Sequence, residues 1–120
     1  MIVLLSSELL KGEIAMVIVI VRLIQRIANG KWDELEEIDK KFSEMEENLG
    51  YPPKKRFRSL SGGDNNIVVV EREYQSLGKM EKLMTKGFLD PEYLKLSEKL
   101  EKIVDWSKME IWVPHPTFPE

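Results

Sequence analysis

The sequence predicts one α+β domain, an antiparallel sheet with its helices on one face, completed by a second, identical chain. Three observations carry this. Residues Val17 to Ile27 alternate like a strand but are apolar on both faces, residues 31–49 switch to a helical period, and Gly62-Gly63-Asp64-Asn65-Asn66 marks a hairpin. At 120 residues, with 42% hydrophobic and 32% charged positions, the chain suffices for one domain with a limited core, to which a partner subunit would add.

On the first strand, Val17, Val19, Val21 and Leu23 share one face, and Ile18, Ile20, Arg22, Ile24 and Arg26 share the other. Asn29-Gly30 breaks it. Trp32, Leu35, Ile38, Phe42, Met45 and Leu49 then recur at three- and four-residue steps among acids and lysines, an amphipathic helix. Asp33, Glu34, Glu36 and Glu37 favour its positive end, and the rest of its acidic surface reads as solvated. Gly50, Tyr51, Pro52 and Pro53 stop it.

Short strands are expected at Lys55 to Leu60 and Ile67 to Tyr74, with Lys54-Lys55-Arg56 guarding an edge against aggregation. A second helical region starts near Ser76 and carries Leu77, Met80, Leu83, Met84 and Phe88. Gly87 weakens it, and Asp90-Pro91-Glu92 restarts it with an aspartate cap and proline in the first turn. The apolar stripe runs to about Asp105, which puts Trp106 near the helix end as a packing anchor. A last strand, Lys108 to Val113, places Met109, Ile111 and Val113 opposite Glu110 and Trp112, and Pro114, Pro116 and Pro119 make the tail non-regular. Trp32, Phe42, Met45, Met80 and Met84 read as core. The element order is the split βαβ, or ferredoxin-like, arrangement. Its helices cover one sheet face, so Ile18, Ile20, Ile24 and Trp112 need another cover, most simply a second sheet about a two-fold axis.

The domain boundaries are expected at 16–114, with 1–15 an N-terminal extension and 115–120 a tail. Lys11-Gly12-Glu13 can be encoded by a purine-rich stretch just before Met16, as a translated ribosome-binding site would be, so a natural start at Met16 is one expectation. A genuine extension, with Ile2 to Leu5 as an edge strand or helix turn, is the other. The longest apolar run, Ile14 to Val21, is too short to span a bilayer, and no signal-peptide pattern follows, so the expected location is cytoplasmic with no membrane partner.

Charge and composition exclude several chemistries. With 21 acidic and 18 basic residues scattered along the chain, no basic stripe marks a nucleic-acid surface. There is no cysteine and one histidine, His115, which leaves neither a thiolate nucleophile nor a sulfur or multi-histidine metal site within one chain. No phosphate loop or nucleophile elbow is present, and no cofactor is expected. The candidates that remain are polar strand residues: Arg22, Arg56 and Arg58 from the first two strands, and Glu71, Glu73 and Glu110 from the last two. Tyr74 and Trp112 supply aromatic walls, and His115 supplies a proton-transfer group if the tail folds over. Such charges could line a cavity between two sheets; the plainer reading makes them salt bridges fixing the register of a dimer.

From Met16 to Val113 the chain resembles the dimeric α/β-barrel group, and within it most closely the NIPSNAP-like proteins. The residues that carry this are Glu71-Arg72-Glu73-Tyr74-Gln75-Ser76-Leu77, Asp90-Pro91-Glu92-Tyr93 and Glu110-Ile111-Trp112. The resemblance implies two facing sheets in a homodimer, and a scaffold that hosts cofactor-independent oxygenases, haem-degrading enzymes, decarboxylases and uncharacterised members. The haem-degrading pattern, a histidine on the second helix, is not met here, and no functional residue carries over. Two readings stand: a non-catalytic homodimer that binds a small molecule between its sheets or simply serves as a structural or regulatory partner, or a cofactor-free oxygenase or isomerase acting on an aromatic or polyketide-like compound.

Overall fold

A computed structural model of the chain describes residues 17–115. The expectations for the start at Met16, for Ile2 to Leu5 and for residues 116–120 lie outside those residues. In chain order the elements are β1 (Val19–Ile27), α1 (Trp32–Leu49), β2 (Lys54–Arg58), β3 (Ile67–Tyr74), α2 (Leu77–Leu89), α3 (Pro91–Glu101) and β4 (Val104–Trp112). The sheet order is β2-β3-β1-β4, with each neighbouring pair antiparallel. This is the ferredoxin-like arrangement, its second helical region divided in two at Asp90.

Local chemistry sets the boundaries. Gly50 ends α1 at φ 87°, where its amide reaches the carbonyls of Glu46 and Glu47. Ser76 Oγ accepts the Lys79 amide at 3.1 Å to start α2. One carboxylate oxygen of Asp90 accepts the amides of Glu92 and Tyr93 to start α3. In the β2–β3 connection Gly62 takes φ 87°, and Asp64 accepts the Asn66 amide at 2.8 Å.

The last strand is longer than its sequence pattern suggests. Helix α3 stops at Glu101, and Val104 to Ser107, read above partly as helix, belong to β4. Strand β1 offers hydrogen-bonding partners along its whole length, so Val104 pairs with Ile27 across a register shift beside Arg26. That ladder outweighs a helical apolar spacing that β-branched Ile103 and Val104 support only weakly. Trp106 is therefore no helix-end anchor. It lies opposite Arg26 on the sheet and is 46% exposed.

The odd-numbered residues of β1 face the helices. Two buried clusters form at the ends of that face. One gathers Val19, Val21, Tyr74, Leu77 and Met80; the other gathers Ile27, Leu35, Val68 and Ile103. Leu23, at the middle of the strand, belongs to neither and is only half-buried.

Gly87 does more than weaken a helix. A β-carbon there would lie 2.5 Å from Tyr51 Oη and 3.3 Å from Tyr93 Cε1. The bare backbone lets the Tyr51 hydroxyl approach α2 and donate to the Leu83 carbonyl at 2.8 Å, tying the α1–β2 connection to the helix layer. Gly87→Ala is expected to destabilise the chain by about 1–3 kcal/mol through overpacking. Gly78→Ala, whose nearest neighbour would be Ser76 Oγ at 3.9 Å, is expected to be neutral or stabilising by up to ~1 kcal/mol. Urea denaturation of both checks this, and Tyr51→Phe should reduce the cost of Gly87→Ala if the hydroxyl is the obstacle.

Candidate functional site

Between the two buried clusters the helix face of the sheet is hollow. The cleft has a volume of about 350 Å³. Its floor is Val21, Leu23, Val70 and Met109, and its walls are Leu35, Ile38 and Phe42 of α1, Met84 and Phe88 of α2, and Tyr93 and Leu100 of α3. Each apolar side chain comes from the periodicity of its own element: alternate strand residues point down, and the helix stripe points back.

One flank, beside edge strand β2, is charged. The Glu46 carboxylate is buried and accepts from Lys54 Nζ at 3.0 Å, Arg72 Nη2 at 2.7 Å and the Tyr93 hydroxyl at 3.3 Å. Asp39 pairs with Lys54 Nζ and Arg56 Nη1, each at 2.9 Å. Arg72 also donates from Nε to the Pro52 carbonyl at 2.9 Å and lies 5.1 Å from the centre of the Tyr51 ring. Among the described residues no buried side-chain nitrogen or oxygen lacks a partner. Three of the aromatic rings form a chain, with Phe42 edge-on to Tyr93 at 5.2 Å and Tyr93 stacked on Tyr51 at 6.2 Å.

The electrostatics fix the roles. Burial, aided by the nearby Tyr74 and Glu46, pushes the Tyr51 phenol up to about 12. Burial and then Glu46 hold Tyr93 far above the usual phenol range, and burial raises Tyr74. All three are therefore neutral hydroxyls near neutral pH, suited to donate hydrogen bonds. Burial works against the Arg72 charge, but Glu46 more than offsets it, so the guanidinium stays protonated. With both its oxygens engaged by donors, Glu46 is the fixed acceptor of this network.

The residues singled out from the sequence divide between two faces. Arg22, Glu71, Glu73, Glu110 and Trp112 lie on the open face of the sheet, away from the helices, as the register requires once Val19 and Val21 are buried. There Arg22 pairs with Glu71 at 3.1 Å and lies 5.3 Å from the Trp112 ring centre. The Trp112 indole donates to Glu110 at 3.1 Å, and Lys108, with that indole, holds the Glu110 carboxyl below its ordinary range. Glu73 is exposed opposite Ile20. Tyr74 faces the helices and lines the cleft, and Arg56 reaches it too. Arg58 shares that face but lies over the Trp32 ring at 3.8 Å. His115 is exposed at the end of the described residues. The structure thus brings Arg22, Glu71, Glu110 and Trp112 together and leaves Arg58 and His115 apart from them.

Sequence reasoning missed Asp39, Glu46, Lys54, Arg72, Tyr51 and Tyr93. By sequence pattern Asp39 and Glu46 read as part of a solvated face, and Lys54 as part of an edge guard. Yet Leu35, Asp39, Phe42 and Glu46 follow one another at four, three and four residues, which places both acids within the buried stripe. Lys54 is turned inward, its side chain 11% exposed. Among the described residues, no three histidine, cysteine, aspartate or glutamate side chains could hold a metal ion. No described helix is long and apolar enough to cross a membrane.

No family model and no curated protein sequence matches the chain. Solved structures do. A NIPSNAP family protein from Agrobacterium tumefaciens superimposes with a TM-score of 0.69 at 20% identity, over 81% of this chain and 85% of that one. An uncharacterised NIPSNAP-like domain protein from Burkholderia xenovorans gives 0.71 at 14% identity, over 88% and 91%. SnoaB, a cofactor-independent oxygenase from Streptomyces nogalater, gives 0.63 at 14% identity, over 88% and 100%. The chain shares its fold with the NIPSNAP proteins, as its local motifs suggest.

Two outcomes are expected of the charged flank. Glu46→Leu should cost about 3–5 kcal/mol, measured by chemical denaturation, because it leaves Lys54 and Arg72 buried without their carboxylate. The tyrosines give a pH dependence. An unfolded chain ionises its phenols near 10.0, whereas the folded chain holds Tyr51 protonated to about 12. Between those values the unfolded state binds fewer protons, so this stabilisation is complete below pH ~10 and is lost as pH rises through the folded value. All three tyrosines of the chain are shifted the same way. Tyrosinate absorbance should therefore rise together with unfolding, well above the onset for free tyrosine.

Proposed function

We propose that the chain forms a homodimer through the open face of its sheet and binds a small, largely apolar molecule in the cleft of each subunit. The cleft carries this reading. Its volume of about 350 Å³ lies in the range of small-molecule sites, and its make-up, apolar walls with a few fixed polar groups on one side, is theirs as well. This puts the ligand between sheet and helices within a subunit, rather than between two sheets. The dimer rests on the opposite face, where Ile18, Phe57, Trp106 and Trp112 are 38–51% exposed around half-buried Ile20, Ile24 and Val69. An apolar surface of this extent calls for a cover, and a two-fold copy brings the same side chains to it. Arg22 and Glu71 would then be paired before the surfaces meet, with their charges already matched.

A second reading, a cofactor-independent oxygenase or isomerase, draws on the neutral Tyr93 hydroxyl beside an apolar space, whose one proton is given to Glu46 and would have to turn from it to a bound substrate. Such a donor is suited to stabilise negative charge developing on a substrate oxygen. The likeness in fold to SnoaB agrees with this but does not choose it. Oxygen consumption by the chain with polycyclic phenols, abolished by Tyr93→Phe, would favour the enzyme; binding without turnover favours the first reading.

Ile20→Asp and Arg22→Glu are each expected to yield monomer or aggregate in light scattering, and a normal dimer from both would remove the proposed interface. Naphthalenemethanol, a neutral aromatic probe, is expected to bind once per subunit in calorimetry. Val70→Trp or Met84→Trp should fill the cleft and abolish binding while preserving the dimer. Unchanged affinity in both variants would place the ligand elsewhere.

A further inference from the structure

We propose that the molecule taken up by the cleft carries an anionic oxygen head group, such as a carboxylate, seated at Arg56 and Lys54 with its apolar body laid across the strands. The inference rests on the cleft being a ligand site. Its observation is a cross-strand row. Arg56 of β2 is opposite Val70 of β3, Val70 is opposite Leu23 of β1, and Leu23 is opposite Met109 of β4. All four line the cleft. The row runs from a cation at the sheet edge to three apolar side chains over three strand spacings, roughly 14 Å. An amphipathic molecule of that length matches it end to end.

The charges select the sign of the head. The charged residues lining the cleft are Asp39, Glu46, Lys54, Arg56 and Arg72, three cations against two carboxylates. The carboxylates are occupied: Glu46 accepts from Lys54, Arg72 and Tyr93, and Asp39 from Lys54 and Arg56. Arg72 is engaged as well, by Glu46 and the Pro52 carbonyl, but Arg56 and Lys54 keep free N–H groups. Arg56 touches Asp39 through Nη1 alone, and its side chain is 41% exposed, which leaves guanidinium N–H groups for an incoming acceptor. Lys54 Nζ contacts Asp39 and Glu46 and has one N–H direction left. A cationic head would meet the excess positive charge beside carboxylates already paired with cations, and a neutral one would gain little from it.

Calorimetric titration of the full chain with three probes sharing one ring tests this: naphthoate, naphthalenemethanol and naphthylmethylammonium. Naphthoate is expected to bind roughly tenfold tighter than the alcohol, the scale of one charge-assisted contact, and the ammonium more weakly than either. Arg56→Gln should remove most of the advantage of naphthoate over the alcohol, read as the ratio of the two affinities, whereas Arg56→Lys should keep much of it. Equal affinity for all three probes, or an advantage untouched by Arg56→Gln, overturns the head-group assignment while the cleft reading stands. Failure of all three to bind overturns the cleft reading itself.

Discussion

Strand β1 is paired on both edges, to β3 and to β4 along nearly all its length, and this constraint organises everything else. The register on both sides fixes which residues face which way, and the side chains of β1 alternate between two faces that are both largely apolar. The helices can reach only one of them. Even that cover is uneven: it closes over Val19 and Val21 at one end and over Ile27 at the other, and it stands away from Leu23 in between. The cleft and the uncovered face are two results of one arrangement.

The polar network belongs to the same geometry. Along β2 and β3, the helix-facing positions change from Val68 and Val70 to Arg72, Lys54 and Arg56. These cations lie under α1, where an apolar helix face would leave them stranded. Asp39 and Glu46 answer them from within the buried stripe. Such a group of buried charges adds little net stability compared with a well-packed apolar replacement. Its effect is to fix which side of the cleft is wet and how Tyr93 and Arg72 are aimed.

Most of the fold was legible because it depends on short-range rules. Gly50, Ser76, Asp90 and Pro91 act where they stand in the chain, and the alternation in β1 survives intact. The misreading of Val104 to Ser107 came from a long-range ladder to β1 that no local pattern reports. The site was much less legible, for the same reason. Arg22, Glu71, Glu110 and Trp112 do come together, but on the face away from the cleft. The network that lines the cleft joins residues from α1, β2, β3 and α3, with Glu46 and Tyr93 separated by 47 positions. Spacing within α1 marks Asp39 and Glu46 as inward-facing; only the folded sheet shows which cations they meet.

A core divided by a hollow would link folding to supply once the cleft takes up a ligand. The two clusters that hold the layers together touch the cleft from opposite ends, through Val21 and Tyr74 on one side and Leu35 and Val68 on the other. A bound molecule would supply the missing middle of the core and join them. Occupancy would then register as resistance to heat and proteolysis, gaining about 2.7 kcal/mol at a hundredfold excess over the dissociation constant. The abundance of such a protein in a cell would follow the concentration of that molecule, with or without turnover.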